Sequence, residues 1–339
     1  MAIRERPVVI AHRGASGYLP EHSFAAKAMA YAMGADFLEQ DLHMTRDGEI
    51  VVIHDTWLDE LTDVRTRFPG RAREDGRFLV LDFTLAELRS LRMTERFEMR
   101  DGRPVQVYPG RFPTGTADFR IQTFAEELEL VAGLNHATGG RTGIYPEIKV
   151  PWLHRREGLD LATAMLTVLR DHGYRRREDP VYVQCFDPME VIRVRTELMP
   201  ALGIDLRVVQ LIGEPEWEET WVETPDGGWH PYDDGWLQEP GALARVAEVA
   251  DGIGPQVPMV IRTDPVTGRP TPTHLVAEAH ALGMEVHPYT LRADALPAGF
   301  TSLDALHAAL FRVADVDGVF SDFPDRTIAW LRAEGRRPG

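Results

Sequence analysis

The sequence predicts an α/β fold: a (β/α)8 (TIM) barrel with an antiparallel hairpin after its second strand and an inserted subdomain. Short β-rich runs alternate with helical patterns along most of the 339 residues, which is typical of βαβ units in a parallel sheet. Eight runs remain once the return strand of one hairpin is set aside, and eight is the strand number of this barrel. The length fits a single barrel domain, residues 1–339, that carries a large insertion.

Each predicted strand is a short apolar run that ends at polar residues or at a turn signal. The predicted strands are residues 7–11, 37–42, 50–54, 143–149, 181–186, 206–212, 250–257, 285–291 and 318–320. Helices are predicted between most of them, where apolar residues recur at intervals of three or four positions. The predicted helices are residues 22–33, 85–91, 123–134, 159–171, 188–198, 242–250, 273–282 and 303–313.

The connection after the second strand breaks the parallel pattern. Only eight residues separate Asp41 from Ile50, and they include the turn signal Asp47-Gly48. A parallel crossover needs roughly a dozen residues, so these strands are predicted to form an antiparallel hairpin. A turn centred on Asp47-Gly48 would place Asp41 opposite His54, within a residue or two. The next stretch is too long for one barrel connection, and we predict that about residues 57–120 form the inserted subdomain.

The composition argues against several classes of function. The 37 basic and 53 acidic side chains give a formal net charge of −16, which disfavours binding to nucleic acid or to an anionic membrane. No apolar run approaches the ~18 residues of a membrane span, so we expect no stable membrane association. The one cysteine, Cys185, excludes an intrachain disulfide and a multi-cysteine metal site. A homodimer is compatible with the sequence.

Four polar groups are predicted at the C-terminal ends of strands, where the active sites of such barrels lie. They are His12-Arg13-Gly14, Glu39-Gln40-Asp41, His54-Asp55 and Glu147-Ile148-Lys149. Each group alone has an ordinary interpretation as a turn, a solvated edge, a helix cap or an ion pair. Together they indicate a functional site, because charges gathered at one mouth are costly to bury without a partner.

Three carboxylates in these groups predict a metal site. Glu39 and Asp41 are two residues apart, so both side chains point to the same face of their strand. With Glu147 they converge on one mouth, where they cannot all stay ionised without a cation. Oxygen ligands without cysteine suit a hard divalent ion. We therefore expect Ca²⁺ or Mg²⁺, with Ca²⁺ preferred.

Other residues near the predicted mouth have less specific signals. Gln184 and Tyr289 lie near strand ends and are expected to contact substrate, whereas Cys185 is expected to be a small buried side chain. Four tryptophans between residues 213 and 240 form either a local core or the apolar wall of a substrate cleft. Five histidines are expected at the surface of helices and loops: His154, His230, His274, His280 and His307.

The chain resembles the glycerophosphodiester phosphodiesterase family over about residues 7–332. The opening His12-Arg13-Gly14-Ala15-Ser16-Gly17 carries the resemblance, together with segments 38–41, 47–55, 145–149, 184–187, 250–255, 286–290 and 320–325. The insertion, with Phe68-Pro69-Gly70 and Tyr108-Pro109-Gly110-Arg111, is similar to the periplasmic branch. The family's common Pro-Glu-Asn-Thr reads Pro20-Glu21-His22-Ser23 here.

This resemblance implies a role for each group at the mouth. The residues that match the family's metal ligands are Glu39, Asp41 and Glu147. Those that match its acid–base pair are His12 and His54, with the roles of acid and base open between them. Arg13 and Lys149 match positions that contact phosphate. The resemblance also implies a TIM barrel with an insertion after the hairpin.

The implied function is metal-dependent hydrolysis of glycerophosphodiesters to sn-glycerol 3-phosphate and an alcohol. Glycerophosphocholine and glycerophosphoethanolamine are examples of such small-molecule substrates. Two alternatives stay open: a lysophospholipid-cleaving enzyme on the same barrel, and a non-catalytic binding or adhesion protein. The N-terminus shows no apolar stretch of a secretory signal. A chain complete as given would be cytoplasmic, whereas the periplasmic resemblance implies export if a signal peptide has been removed.

Overall fold

The computed structural model describes residues 6–264 and 266–338, so the first residues, which bear on the signal peptide, lie outside it. A barrel of eight parallel strands forms the centre, and neighbouring strands follow one another along the chain. These strands are β1 (Val8–Ala11), β2 (Phe37–Met44), β3 (Gly143–Ile148), β4 (Tyr182–Cys185), β5 (Arg207–Ile212), β6 (Gly252–Pro255), β7 (Glu285–Val286) and β8 (Gly318–Ser321). The predicted TIM barrel is confirmed.

The barrel closes between β7 and β8 through backbone hydrogen bonds. The Phe320 N–H donates to the Pro288 carbonyl at 3.0 Å, and the Leu291 N–H donates to the Phe320 carbonyl at 2.9 Å. The regular part of β7 nevertheless ends at Val286, before the predicted end at Leu291. Pro288 has no N–H to donate, which interrupts the ladder at that point.

Helices surround the barrel, mostly where the periodicity predicts them. The α-helices are Phe24–Met33, Val64–Arg67, Leu85–Ser90, Phe124–Thr138, Pro151–Arg156, Leu161–Asp171, Pro188–Arg193, Met199–Leu202, Leu243–Val246, Val257–Val260, Leu275–Ala281, Leu303–Ala308 and Pro324–Ala333. Short strands outside the barrel are Ile50–Val52, Phe97–Arg100, Arg103–Gln106, Gln122–Thr123, Trp221–Glu223, Trp229–Pro231, Ile261–Thr263 and Pro270–Pro272. Within the described ranges, no helix combines the length and the apolar character needed to cross a bilayer.

Side chains alternate between the inside and the outside of the barrel along each strand. On the inside, Tyr145 stacks on Tyr182 with ring centroids 4.9 Å apart. Phe320 meets Tyr145 edge-on at 5.0 Å. Because Glu147 follows Tyr145 by two residues, its side chain points into the same interior. An aromatic layer therefore lies next to the polar strand ends.

The predicted hairpin is present, and its register is one residue from the central prediction, within the predicted range. The return strand Ile50–Val52 runs antiparallel to β2. Asp41 lies opposite Ile53, whose N–H donates to the Asp41 carbonyl at 3.0 Å, and not opposite His54. His54 lies two residues beyond the regular strand. Its side chain nevertheless reaches the barrel mouth.

The loop of the hairpin explains this shift. The prediction assumed a two-residue turn at Asp47-Gly48. The Thr45 N–H instead donates to the Glu49 carbonyl at 2.9 Å, which leaves three residues in the loop. Gly48 closes it in the left-handed region at φ 86°, as is common in three-residue hairpin loops.

Residues 57–120 leave the barrel after the return strand and come back at Gln122–Thr123, which pairs with that strand. They surround a second apolar cluster, which includes Val51 and Ile53 from the hairpin together with Leu58, Leu61, Val64, Phe78, Val80, Phe83, Leu88, Leu91, Met93 and Ile121. The hairpin residues in this cluster attach the insertion to the barrel wall that carries β2.

Two of the five histidines expected at the surface are instead buried. His154 accepts the Met44 N–H at 3.0 Å through Nε2. The His307 ring lies 5.4 Å from the Trp330 ring, and its Nε2 lies 3.1 Å from the Thr327 hydroxyl. The first contact spans 110 positions and the second spans 20, and both lie beyond the range of a local pattern.

These buried histidines make stability depend on pH. Burial lowers the pKa of His154 and of His307 to about 4, whereas a histidine in an unfolded chain titrates near pH 6.5. Between these values the unfolded state binds more protons, so stability present above pH 6.5 is lost as the pH falls towards 4.

We expect the free energy of unfolding to fall over this range by about 1–3 kcal/mol for each buried histidine. Urea unfolding at several pH values measures the effect. His307→Gln keeps a partner for Thr327 but cannot titrate, so this variant should show a flatter dependence. The same slope in the variant and the parent would contradict the assignment to His307.

Candidate active site

A cavity of about 470 Å³ opens at the C-terminal end of the barrel strands. Nine residues singled out from the sequence line it: His12, Arg13, Glu39, Asp41, His54, Glu147, Lys149, Gln184 and Tyr289. The closed barrel brings them together, because the carboxyl ends of its parallel strands meet at one mouth. Their chemical roles remain predictions.

The loop after β1 turns sharply to place His12 and Arg13 at this mouth. Arg13 and Gly14 both have left-handed backbone conformations, with φ of 58° and 88°. A Cβ on Gly14 would lie 2.8 Å from the Ala26 carbonyl carbon, so glycine is required for this close approach. The turn lets the Arg13 N–H donate to Glu39 Oε2 at 2.6 Å.

A carboxylate from the far end of the chain holds His12. Its Nδ1 lies 2.7 Å from Oδ1 of Asp322, which directly follows β8. Because a carboxylate accepts hydrogen bonds, this contact favours the proton on Nδ1 and leaves Nε2 for another partner. Burial, followed by the charge of Arg13, lowers the pKa of His12 to about 4. Without a bound anion, the ring is therefore neutral near pH 7.

His54 has a similar partner. Its Nδ1 lies 2.6 Å from Oδ1 of Asp55, so Nε2 is again left for another partner. Burial, followed by the charges of Arg13 and Lys149, lowers the pKa of His54. Both histidines therefore have an aspartate on Nδ1 and line the same cavity.

The three carboxylates lie on adjacent strands. Glu39 and Asp41 are on β2, and the parallel register places Asp41 beside Glu147 of β3. All three are at most 6% exposed. Gln184 of β4 lies beside Glu147 on its other side. With adjacent strands about 4.8 Å apart, these side chains form one polar row at the mouth.

The electrostatics of this row fit a divalent cation. Burial, followed by the charge of Asp41, raises the pKa of Glu39 well above its ordinary value. Burial raises the pKa of Glu147 to about 8 in spite of nearby Lys149. The pKa of Asp41 is low, because His54, His22 and Arg13 together outweigh its burial. A bound cation would favour ionisation of all three carboxylates.

His22 lies beside the carboxylate row, a position that the sequence did not predict. Its Nε2 lies 2.8 Å from Oδ2 of Asp41. Among the described residues, ligand atoms of His22, Glu39 and Asp41 lie within 4.8 Å of one another, close enough to hold a metal ion. Glu147 is outside that group, and its Oε1 lies 2.9 Å from Lys149 Nζ. The one available signal was the histidine in Pro20-Glu21-His22-Ser23, where the family commonly has asparagine.

Arg13 and Lys149 bring positive charge to the cavity. Arg13 Nη1 donates to Glu21 Oε1 at 2.9 Å, and its Nε lies 3.4 Å from Asp41 Oδ2. Burial alone would lower the pKa of Lys149, but the carboxylates of Glu147 and Glu219 outweigh burial and raise it. Both side chains therefore stay charged at neutral pH.

Aromatic rings also line the cavity, and the Phe186 ring lies 5.5 Å from Lys149 Nζ. The Tyr289 hydroxyl donates to the Ile212 carbonyl at 2.9 Å, so its ring is the part left to face a ligand. Phe186 meets this ring edge-on at 5.8 Å. Gln184 Nε2 donates weakly to the Tyr145 carbonyl at 3.4 Å, and its Oε1 has no hydrogen-bond partner among the described residues.

Of the four tryptophans between residues 213 and 240, one lines the cavity and three pack against other side chains, so both predicted roles occur. Trp217 is 45% exposed and lines the cavity. Trp221 stacks on Trp152 at 5.1 Å, and Trp229 lies 6.0 Å from the same ring, so these residues form a small local cluster. Trp236 does not line the cavity but packs against the main core.

Known proteins resemble this chain over most of its length. The model of the glycerophosphoryl diester phosphodiesterase family matches residues 12–326. A glycerophosphodiester phosphodiesterase of Haemophilus influenzae is 50% identical over 328 residues, which cover 96% of this chain and 90% of that protein. One of Treponema pallidum is 39% identical over 330 residues, with coverages of 97% and 93%.

Solved structures show the same fold. The structure of an Oleispira antarctica phosphodiesterase in complex with the product sn-glycerol-3-phosphate matches with a TM-score of 0.62 and 20% identity. The match covers 96% of this chain and 97% of that one. The fold and these relatives together define a (β/α)8-barrel hydrolase. The chain belongs to the glycerophosphoryl diester phosphodiesterase family, which confirms the resemblance noted from the sequence.

Proposed function

We propose that this protein is a metal-dependent phosphodiesterase that hydrolyses glycerophosphodiesters to sn-glycerol 3-phosphate and an alcohol. The observation that carries the proposal is the pair His12 and His54, each bound to an aspartate through Nδ1, in one cavity with three buried carboxylates. This arrangement offers two proton carriers beside ligands for a divalent cation. Family membership supports the same reaction.

Glu39, Asp41 and Glu147 would hold the cation, with Ca²⁺ preferred to Mg²⁺ because Ca²⁺ accepts irregular sets of oxygen ligands. His22 orients Asp41 through its Nε2. When bound, the cation neutralises and aligns the phosphodiester oxygens. Glu147 would exchange part of its contact with Lys149 for the metal, which frees the ammonium for the phosphate.

Arg13 and Lys149 attract the substrate locally. The formal net charge of −16 repels a phosphodiester anion at long range. Two buried positive side chains at the mouth offset this repulsion over short distances, where the low dielectric strengthens their effect.

The two histidines move the protons. One, as the neutral base, takes the proton of the glycerol 2-hydroxyl while its oxygen bonds to phosphorus. The other, whose protonation the bound phosphodiester anion would favour, acts as imidazolium and protonates the alcohol oxygen as the bond between phosphorus and that oxygen breaks. Water then opens the resulting cyclic phosphate to sn-glycerol 3-phosphate, with the roles of the histidines exchanged. Either His12 or His54 can start as the base in this scheme.

The aromatic lining of the cavity supports glycerophosphocholine and glycerophosphoethanolamine as substrates. Phe186, Trp217 and Tyr289 line the cavity, and Glu219 lines it as well. Aromatic faces attract ammonium groups, and the carboxylate adds attraction for the same charge. The cationic head group would therefore lie against these rings.

The proposal predicts equal amounts of sn-glycerol 3-phosphate and choline from glycerophosphocholine. Purified protein with Ca²⁺ is incubated with the diester, and both products are measured by coupled enzymatic assays. Lysophosphatidylcholine serves as a parallel substrate, because the exposed Trp217 at the entrance would suit an acyl chain. Release of phosphocholine, or turnover of the lysophospholipid alone, would refute the proposal. The absence of any turnover would favour the binding-protein alternative.

A further inference from the structure

Two arginines of the insertion reach the aspartates that hold the two histidines. Arg96 and Arg111 both lie within residues 57–120, whereas the histidines and aspartates lie on the barrel or on its hairpin. Neither arginine is among the described residues that line the 470 Å³ cavity. Both line a second cavity of about 150 Å³ that also touches His12 and His54.

Arg96 binds both oxygens of Asp55. Its Nη1 donates to Oδ2 at 2.7 Å, and its Nη2 donates to Oδ1 at 2.9 Å. The same Nη2 reaches Glu21 Oε1 at 3.2 Å, the oxygen that also accepts from Arg13. Arg96 therefore fixes the partner of His54, while Glu21 keeps a direct hydrogen bond from Arg13 that does not depend on Arg96.

Arg111 joins three parts of the barrel mouth. Its Nη2 donates to Asp322 Oδ2 at 2.7 Å, while the other oxygen of Asp322 binds His12. Its Nε and Nη2 bind Asp294 at 2.8 and 3.0 Å, and its Nη1 donates to the Ser16 carbonyl at 3.2 Å. The side chain is only 5% exposed, so the guanidinium is fully engaged in these contacts.

We propose that Arg96 and Arg111 are positioning residues, through which the insertion holds both histidines in their reactive orientation. The two chains of contacts have the same order: histidine Nδ1, aspartate, arginine. A planar guanidinium fixes the plane of a carboxylate, which a flexible ammonium cannot do. The fixed carboxylate in turn fixes the tautomer and direction of the imidazole. The proposal rests on the proposed function, in which these histidines carry protons.

The two arginines should differ in the size of their effect. Among the described residues, Arg96 is the arginine that binds Asp55, whereas Asp322 also accepts from Arg292 Nε at 3.0 Å. Removing Arg96 therefore leaves Asp55, the partner of His54, without its arginine. Removing Arg111 leaves Asp322 still bound by Arg292. We expect Arg96→Ala to lower kcat by about 10²-fold and Arg111→Ala by about tenfold.

The kinetic test separates positioning from binding and from folding. The variants Arg96→Ala, Arg96→Lys and Arg111→Ala are assayed with glycerophosphocholine and Ca²⁺, alongside Ca²⁺ calorimetry and thermal unfolding. Positioning predicts a lower kcat with nearly unchanged KM and Ca²⁺ affinity, and an intermediate kcat for Arg96→Lys. Added guanidinium should restore part of the activity of Arg96→Ala, because truncation enlarges the second cavity.

Arg100→Ala is the matched control. Arg100 ends the insertion strand Phe97–Arg100, which directly follows Arg96. Its side chain is 63% exposed and pairs with Glu98 of the same strand, so its loss should leave kcat unchanged. An undiminished kcat in Arg96→Ala would overturn the proposal. So would a loss of activity that follows unfolding alone and is not restored by guanidinium or by Arg96→Lys.

A second readout does not depend on turnover. Nitrogen-15 NMR of the imidazole rings at neutral pH should show His54 as the Nδ1–H tautomer in the parent and a tautomer mixture in Arg96→Ala. An unchanged tautomer would overturn the positioning role even if the variant were slow. A parent that releases no sn-glycerol 3-phosphate but shows this tautomer change would refute the proposed function and leave the positioning contact standing.

Discussion

Removal of divalent metal is expected to abolish the release of sn-glycerol 3-phosphate. Glu39, Asp41 and Glu147 are buried side by side, and without a cation burial raises the pKa of Glu39 and of Glu147. Loss of the metal should lower the rate on the order of 10³-fold, because charge neutralisation by a metal contributes several kcal/mol to such reactions. The rate is measured after EDTA treatment and after titration with Ca²⁺ or Mg²⁺.

Binding of the cation should also raise the thermal stability of the protein. A cation that binds only the folded state raises the melting temperature by mass action, with about 2.7 kcal/mol gained at 100 times the dissociation constant. Ca²⁺ should restore activity at lower concentration than Mg²⁺. Full activity in protein shown by elemental analysis to be free of metal would contradict the proposed site.

Replacing a histidine and replacing a carboxylate should have different consequences. His54→Ala removes a proton carrier but leaves the carboxylates, so turnover should fall by a factor of about 10²–10⁴ while Ca²⁺ still binds. Glu147→Ala removes a ligand, so Ca²⁺ affinity itself should fall. Calorimetry measures the affinity, and steady-state kinetics at saturating Ca²⁺ measure the turnover.

His230→Ala is a suitable control for this comparison, because His230 is an exposed histidine that does not line the cavity. It should match the parent in both measurements. His12→Ala should behave like His54→Ala, with metal binding kept and turnover lost. If Glu147→Ala binds Ca²⁺ as tightly as the parent, Glu147 is not a ligand. His22 would then have to be the third metal ligand beside Glu39 and Asp41.

The sequence by itself determined the barrel and the location of its polar mouth. Strand and helix periodicities depend on near neighbours, and parallel strands bring their carboxyl ends to one side. The two-residue spacing of Glu39 and Asp41 was therefore enough to place both in one interior. The same reasoning placed Glu147 beside them, as the register of β2 and β3 shows.

Only the tertiary structure decided what each of these side chains contacts. His12 and Asp322 are 310 positions apart, and no local pattern links them. The contacts of Arg96 and Arg111 depend on how the insertion folds back onto the barrel, and the burial of His307 depends on packing against the helix Pro324–Ala333. Periodicity fixes which way a side chain points, but its partner depends on the closure of the whole chain. Closure brought the two histidine–aspartate–arginine chains together.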